Sequence, residues 1–596
     1  MTKNKLYKTT FLILFLAFLI SSGISQKDTK FSPRIQGAFE TRGPGEKFTA
    51  WIYFKDKGPG MLQKMEEARL TLNIKSMNRR LRHGLEELVD EYDLPVYQPY
   101  VDAIEPFIDK FRHTSRWLNA VSVETTGSSL ELISGFQFVS EIDEVLTYTY
   151  RDPIPDPQTE PSLDPFPETS PLEPLLFDYG MSLTQVKQLK VPALHDMGYT
   201  GRGVLICMLD SGFNNLGHEA LDHLDIVATW DFLNGDSNVF YEEGQLGSGD
   251  HGTNTLGVIA GYEPGQLIGP AFGASFLLGK TENGDLSWER HIEEDHWVAG
   301  AEWADSHGAD IISSSLGYRD VFTHGEEQYS WQDMDGNTTI VAKGANIAAS
   351  RGILIVNSAG NEGLSLSHQN TLISPADSAY VLAAGAINPQ GRRVFFSSYG
   401  PTADGRIKPD VMAMGDSVYS AGPNALDEYE LVDGTSFACP LIAGVAALLL
   451  EINPSWTNHD IMTAMKSTAS QSDSPDNSNG WGIVNAQEAA FYPLKSIHAP
   501  DLFSLRRLAN DYGFFIQFVD QLSWAPNPRN ADQVVFYRLY AKQLGTPGQT
   551  FVLLAEMDPQ TFSFLRRGFL EDENFLYKIT SVSATGQESD PNYALQ

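Results

Sequence analysis

The pattern of apolar and polar positions changes character several times along the chain. At the start, Lys3, Lys5 and Lys8 precede an unbroken apolar run from Phe11 to Ile20, and the small residues Ser21–Ser25 follow. A cationic start, a short apolar core and a small-residue end are the layout of a secretory signal peptide over residues 1–25, cut after Ser25. The alternative is a membrane anchor, but ten apolar residues fall short of the ~20 that a helical span needs. Beyond it, Lys47–Lys55 is a β-rich run, Met61–Glu91 carries Leu, Met, Glu and Arg at helical spacing, and Leu118–Thr125 alternates like a half-buried strand. Ser128–Ile133 suits a short helix and Val145–Tyr150 a closing strand. Residues 26–150 are therefore expected to form a small α+β unit.

Eight prolines between Pro153 and Pro174 make residues 151–178 an extended linker. From 179 to 495, short apolar runs alternate with helical stretches. Val204–Leu209, Ile311–Leu316, Ile353–Val356 and Tyr380–Ala384 read as buried strands, with Trp288–His307 and Thr338–Ser350 as helices among them. That alternation predicts an α/β domain, a parallel sheet with helices on both faces. Residues 499–596 change again. Phe514–Phe518, Val534–Lys542, Phe551–Glu556 and Phe575–Ser583 are strand-like and divided by turn residues, which predicts an all-β sandwich. Trp524 before Pro526 and Pro528, with Tyr577-Lys578-Ile579 before Gly586, resembles fibronectin type III domains.

Composition narrows the function. The 596 residues hold 42 Lys plus Arg against 76 Asp plus Glu, a net charge of −34. A chain so acidic lacks the basic face that phosphate contacts need, which argues against nucleic-acid binding. It suits an acidic protein that tolerates divalent cations. Two cysteines exclude a disulfide scaffold and a Cys-based zinc cluster. After the leader no stretch reads as long and apolar enough to span a bilayer, Leu441–Leu450 being too short.

Three polar residues stand out against this background. Asp210 ends the apolar strand Val204–Leu209, a position where chemistry gathers in open α/β sheets, though alone it could cap a helix. His251 opens an apolar helical stretch in which Gly257 and Gly261 make a bare face for close packing. Ser436 lies in Gly434–Pro440, just before the apolar run Leu441–Leu450. Pro440 suits a helix's first turn, and the helix dipole would then lie beside the hydroxyl. A lone Ser there would read as an N-cap.

Together these segments resemble the subtilases, the subtilisin-like serine peptidases, over about Gly201–Ala490. The Asp motif is Leu209-Asp210-Ser211-Gly212, the His motif His251-Gly252-Thr253, and the Ser motif Gly434-Thr435-Ser436-Phe437-Ala438-Cys439-Pro440. Their chain order, Asp then His then Ser, is that of subtilisin. Ser358–Gly363 matches the family's oxyanion-hole segment and Ser314–Gly317 its substrate-lining strand. Phe396-Ser397-Ser398, Lys408-Pro409-Asp410 and Gly480–Ala486 are further landmarks. One departure is Asn254, where many relatives carry a second His.

The resemblance implies a catalytic set of Asp210, His251, Ser436 and Asn361. Substrate would lie along Ser314, Ser315, Leu316, Gly317, Ala359 and Gly360. It implies hydrolysis of peptide bonds through an acyl-enzyme, with protein or peptide substrates and no cofactor required for catalysis. Structural calcium is compatible with the family, but no ligand set can be named. Residues 26–150 would be a propeptide that inhibits the enzyme until processing, giving a protein secreted to the periplasm or beyond with no transmembrane anchor in the mature chain. The alternative is a surface interaction protein whose peptidase only matures itself.

Other motifs weigh less. His291 and His296 are five residues apart, which places them about 140° apart on a helix and off a common metal-binding face. Asp333–Asn337 hints at a calcium loop, but its Gly comes too early for an EF-hand; a surface turn is the better expectation. Cys207 and Cys439 are expected as buried free thiols near the centre of the peptidase domain, with a bridge between them as the alternative.

Overall fold

The structure, a computed structural model, describes residues 30–145 and 175–595, apart from positions 44, 86, 248, 285–290, 320–328, 365–368, 494–496, 512–515, 528–529, 531–532, 545–549, 570–572 and 590. The expected leader and most of the Pro-rich linker lie outside the described residues. The chain divides into two compact units, one of residues 1–63 and 91–145 and the other of 64–90 and 146–596.

The first unit is built on an antiparallel sheet. Its strands are β1 (Lys47–Phe54), β2 (Lys110–Ser115), β3 (Ala120–Thr126) and β4 (Val139–Glu144), in the order β2-β3-β1-β4. Phe48, Ala50, Ile52 and Phe54 alternate along β1 into a core with Val121, Val123 and Ile142, as the period of a pleated strand requires. Helix Gly127–Ser134 closes over it, capped by Thr126. The last described strand of this unit is Val139–Glu144, in which Ile142 supplies the inward apolar residue; the expected strand Val145–Tyr150 lies, from residue 146 on, outside the described residues.

The second unit contains the expected parallel sheet. Its strands are β5 (Leu205–Asp210), β6 (Asp225–Asp231), β9 (Ser275–Lys280), β10 (Ile311–Ser314), β11 (Leu354–Ser358), β12 (Val381–Ile387) and β13 (Val411–Met414). Between β6 and β9 lies a ribbon of two short strands, β7 (Tyr262–Glu263) and β8 (Leu267–Ile268). The sheet order is β13-β12-β11-β10-β5-β9-β6, every neighbour pairing being parallel. β5, β11 and β12 are buried at every position, so they read as continuous apolar runs. β6, β9 and β13 lie outside the four runs expected from the sequence; β6, exposed or half-buried everywhere but at Asp231, does not follow the pattern of a strand covered on both faces.

Alternate residues serve the two faces. Ile206 and Met208 join the core under helix Thr435–Ile452, while Leu209 packs on helix His291–His307, 2.8 Å from where a Cβ on Gly300 would stand. Cys207 has the parity of Leu209 and Cys439 belongs to the other core, so the sheet separates the two thiols. Both are buried and free.

Helix Thr435–Ile452 is 18 residues long with mean hydropathy 1.9, longer than the expected Leu441–Leu450. By length and composition it could cross a membrane, yet 83% of it is buried inside the protein. It packs on β10, β11, β12 and β13 and on helix Asp250–Ala260. A hairpin, β14 (Val418–Ala421) and β15 (Tyr429–Val432), lies beside that second helix.

The C-terminal region is a sandwich of two antiparallel sheets. One is β16-β17-β20, of Asp501–Asp511, Ile516–Ala525 and Ser563–Arg567. The other is β19-β18-β21-β22, of Val552–Met557, Val534–Gln543, Phe575–Ser583 and Asn592–Leu595. Leu522 and Trp524 from one sheet and Tyr537, Leu539, Tyr577 and Ile579 from the other share its core.

Candidate active site

Asp210 is the last residue of β5 and is 1% exposed. A buried carboxylate must be satisfied, and three donors do this. His251 Nδ1 donates to Oδ1 at 2.7 Å, the Ser211 N–H donates to the same oxygen at 2.8 Å, and the Thr255 hydroxyl donates to Oδ2 at 2.9 Å. The carboxylate can only accept, so the proton of the 2.7 Å bond sits on Nδ1 and leaves Nε2 as the acceptor in the neutral ring. Burial lowers the pKa of His251, but the charge and hydrogen bond of Asp210 outweigh it and hold the imidazole above its ordinary value. The side chain stays 35% exposed.

Two glycines let these groups meet. A Cβ on Gly252 would stand 2.1 Å from Gly212 O, and Gly212 itself has φ +125°. The His-bearing helix Asp250–Ala260 therefore lies directly on the loop that follows Asp210. Gly257 and Gly261 make the bare face read from the sequence: added Cβ atoms would come 2.5 Å from Ser420 Oγ and from Leu267 Cδ2. Asn254, at the departure from the family pattern, donates to Ala421 O at 3.0 Å and to Glu430 Oε1 at 2.7 Å. It ties the helix to the β14–β15 hairpin and does not touch His251's partners.

Ser436 occupies the first turn of helix Thr435–Ile452, where N–H groups have no intrahelical acceptor. The helix begins at Thr435, so Pro440 falls in its second turn and not its first. A proline there cannot donate to the carbonyl four residues back, which is Ser436 O. The Ser315 hydroxyl takes that carbonyl at 2.7 Å, and Ser436 Oγ donates to Ser315 O at 3.3 Å. The proline thus frees the serine's carbonyl to be gripped from β10's end. Phe437, the next residue, places its ring centroid 5.5 Å from that of His251, which brings the His and Ser motifs together.

Asn361 is oriented by Thr435, whose N–H and hydroxyl donate to Asn361 Oδ1 at 3.0 and 2.9 Å. With the oxygen held, the amide NH₂ faces away. A Cβ on Gly434 would stand 3.6 Å from both Asn361 Nδ2 and Ser436 N, so two donors flank one point next to the serine. Gly434, at φ +145°, holds a conformation that favours glycine. The Phe396-Ser397-Ser398 landmark supports this segment, because Ser398 Oγ accepts from the Glu362 N–H at 3.0 Å and the Ser398 N–H donates to Gly360 O at 2.9 Å.

The expected substrate-lining residues are not equivalent. Ser314 is fully buried; its hydroxyl accepts from Trp297 Nε1 at 2.9 Å and its carbonyl from Cys439 Sγ at 3.4 Å. It is a core residue, because strand alternation turns it inward. Ala359 is also fully buried, with its N–H and C=O paired to Ala384 and Ile373. Ser315 faces Ser436. Leu316 O accepts from Asn357 Nδ2 at 2.8 Å, and Gly317 lets Ile373 approach to 2.0 Å of a would-be Cβ. Gly360, at φ +110°, accommodates Ser398 Oγ in the same way at 2.7 Å.

The remaining motifs are structural. Asp335 is engaged by the Asn337 and Thr338 N–H groups at 2.8 Å, and its carbonyl accepts from Arg406, so the loop is a turn held by a cation. Among the described residues no group of three or more His, Cys, Asp or Glu side chains could hold a metal ion. Lys408-Pro409-Asp410 forms a buried ionic knot: Asp410 accepts from Lys408 and Lys466 at 2.6 Å each and from the Ala383 N–H at 2.8 Å. Trp481 covers the Lys466 ammonium at 4.3 Å. Thr255 was missed in the sequence; its signal is a hydroxyl four residues after His251, one helical turn along the same face.

Comparison with known proteins agrees with this geometry. Residues 201–482 match the subtilase family and residues 49–159 a peptidase S8 propeptide domain of Bacteroidota. A subtilisin of Bacillus pumilus is 34% identical over 320 residues, covering 52% of this chain and 98% of its own. Subtilisin NAT of Bacillus subtilis subsp. natto is 34% identical over 324 residues, 52% of this chain and 72% of its own. Subtilisin Savinase of Lederbergia lenta is 31% identical over 309 residues, 51% and 97% respectively. With a parallel sheet that gathers the three motifs and relatives matched over most of their length, the chain belongs to the subtilase family and is a subtilisin-like serine endopeptidase.

Proposed function

We propose that the chain is made as a secreted proenzyme that processes itself and then cleaves other proteins through Asp210, His251 and Ser436. Ser436 Oγ attacks the scissile carbonyl while its proton passes to His251 Nε2. Asp210 holds the ring in the Nδ1–H tautomer and stabilises the imidazolium. Negative charge on the former carbonyl oxygen is met by Asn361 Nδ2 and the Ser436 N–H. The C–N bond then breaks as His251 protonates the leaving amine, and water releases the acyl group by the same steps in reverse order. Every proton in this scheme moves between protein groups, substrate and water.

The observation that carries the reading is the 2.7 Å bond from His251 Nδ1 to a fully buried Asp210, which gives the imidazole one defined task. Residues 1–25 act as the signal peptide, 26–150 as the inhibitory propeptide, 151–178 as the linker that is cut, 179–495 as the peptidase and 499–596 as a fibronectin type III-like sandwich. The propeptide match over 49–159 supports the second of these. Structural calcium, which carbonyl and amide oxygens can also bind, stays compatible with the family and is assigned no ligand set.

Ser436→Ala tests the scheme. It should lower hydrolysis by about 10⁶-fold, the scale known for a subtilisin nucleophile, and leave residues 26–150 attached. Wild-type-like cleavage by this variant would remove Ser436 from the mechanism. The alternative, a surface interaction protein whose peptidase only matures itself, predicts a processed chain that turns over no added protein.

A further inference from the structure

The two halves of the catalytic set are held by different strands: His251 by Asp210 at the end of β5, and Ser436 by Ser315 just beyond β10. The helix that carries His251, Asp250–Ala260, meets its neighbours on bare glycines, with Gly252 on the loop after Asp210 and Gly257 on β14. Dispersion contacts of this kind hold surfaces together with little preference for direction, whereas hydrogen bonds demand an angle. Asn254, about one turn along the helix from His251, supplies such bonds. Its Nδ2 donates to Ala421 O at 3.0 Å and to Glu430 Oε1 at 2.7 Å, while its own carbonyl accepts from the Ser420 hydroxyl at 2.6 Å. Ser420 and Glu430 stand directly opposite each other across the β14–β15 hairpin, so one residue of the His-bearing helix grips one rung of the hairpin from both strands.

The hairpin leads straight to the nucleophile. Glu430 lies on β15, and the chain passes from there through Leu431, Val432 and Asp433 to Gly434 and Ser436. The base of the hairpin is clasped where it turns into helix Thr435–Ile452: the Ser417 N–H donates to Asp433 Oδ1 at 2.7 Å and the Gly434 N–H donates to Gly415 O at 2.8 Å. On β14, Tyr419 exchanges two bonds with the Gln185 side chain at 2.9 and 3.0 Å. A displacement at the Asn254 end is therefore passed on to the Ser436 end. The residue type also matters. An amide nitrogen carries two hydrogens and donates both at once, one to Ala421 O and one to Glu430, whereas a neutral imidazole has a single N–H. The His that many relatives carry at this position would satisfy only one of these two acceptors while neutral.

We propose that Asn254 and Glu430 are positioning residues: the bond between them sets the His251 helix against the segment that delivers Ser436, and so sets the approach of base to nucleophile. This rests on reading Asp210, His251 and Ser436 as the triad, and the test separates the two. Variants are made in the full chain, and kcat and KM per folded molecule are measured on a peptide substrate after processing. For any chain that stays uncut, the rate of self-cleavage replaces kcat. Glu430→Leu removes one acceptor and should lower kcat roughly 10-fold, within what a displacement of up to ~1 Å costs, with KM little changed. Glu430→Gln, whose amide oxygen still accepts, should restore most of that loss. Asn254→Asp sets two carboxylates against each other and should lower kcat further. Adding Glu430→Gln to Asn254→Asp reverses the bond, the new amide donating to the new carboxylate, and should recover most of the difference. Parental kcat in Glu430→Leu, a loss confined to KM, or a double variant no better than Asn254→Asp alone overturns the proposal. Failure of the triad reading shows separately, as activity retained by Ser436→Ala.

Discussion

The Thr255 hydroxyl donates to Asp210 Oδ2 at 2.9 Å, on the opposite oxygen from the one that accepts from His251. The two donors fix the carboxylate plane, so Thr255 positions the residue that positions the imidazole. A hydrogen bond to a charged group is worth about 1.5–3 kcal/mol. Thr255→Val, nearly the same shape, should lower kcat/KM by roughly 10- to 100-fold by that figure, and Thr255→Ser should restore most of it. A valine variant as active as the parent would reduce Thr255 to packing.

His251 is held above the ordinary imidazole value because Asp210 outweighs burial. The neutral ring is the base, so activity is full above its pKa and is lost as pH falls through it. The acid limb of kcat/KM should have its midpoint above ~6.5, the value of a free imidazole. Asp210→Asn leaves burial as the dominant influence, so its limb should move to lower pH and kcat should drop about 10⁴-fold. A parent profile flat between pH 5 and 8, on folded protein, would contradict the assignment.

Asn361 offers its amide beside the Ser436 N–H because Thr435 occupies its oxygen. Asn361→Leu removes one oxyanion donor and should cost about 10²–10³ in kcat, the range for such donors in subtilisin, with KM changed little. A fall in KM-linked binding with kcat intact would place Asn361 in substrate binding instead.

Asp410 is held below the usual carboxylate range: burial would raise it, but Lys408 and Lys466 override that. Its stabilising contribution is present above the unfolded carboxylate pKa and is lost only as pH falls through the lower folded value. Asp410→Asn strands the buried Lys408 charge and should destabilise the peptidase by about 3–5 kcal/mol, read as a lower melting temperature. Per folded molecule, kcat/KM should be near the parent's.

Both cysteines are fully buried, and burial pushes the Cys439 thiol up to about 12. At neutral pH almost none is thiolate, the reactive form. A thiol reagent should label neither cysteine in the folded enzyme and both after denaturation; rapid labelling of the native state would show that helix Thr435–Ile452 opens near Ser436.

Much of this protein is local and so legible in the residue order. Buried parallel strands such as Leu354–Ser358 and Val381–Ile387 announce themselves because both faces need apolar residues. The motifs around Asp210, His251 and Ser436 are visible because glycines at 212, 252 and 434 must accompany them. Other features depend on which segments meet. That Ser314 turns into the core while Ser315 grips Ser436 is a matter of one strand's register. Thr255 became a partner of Asp210 only when β5 and helix Asp250–Ala260 were brought together. The helical spacing of Met61–Glu91 says nothing of Asp305, more than 200 residues away, which folding sets against Arg79 and Arg80. Hydrophobic period and turn chemistry are written within a few residues of each other, whereas hydrogen bonds to buried charges join segments whose proximity exists only in the folded chain.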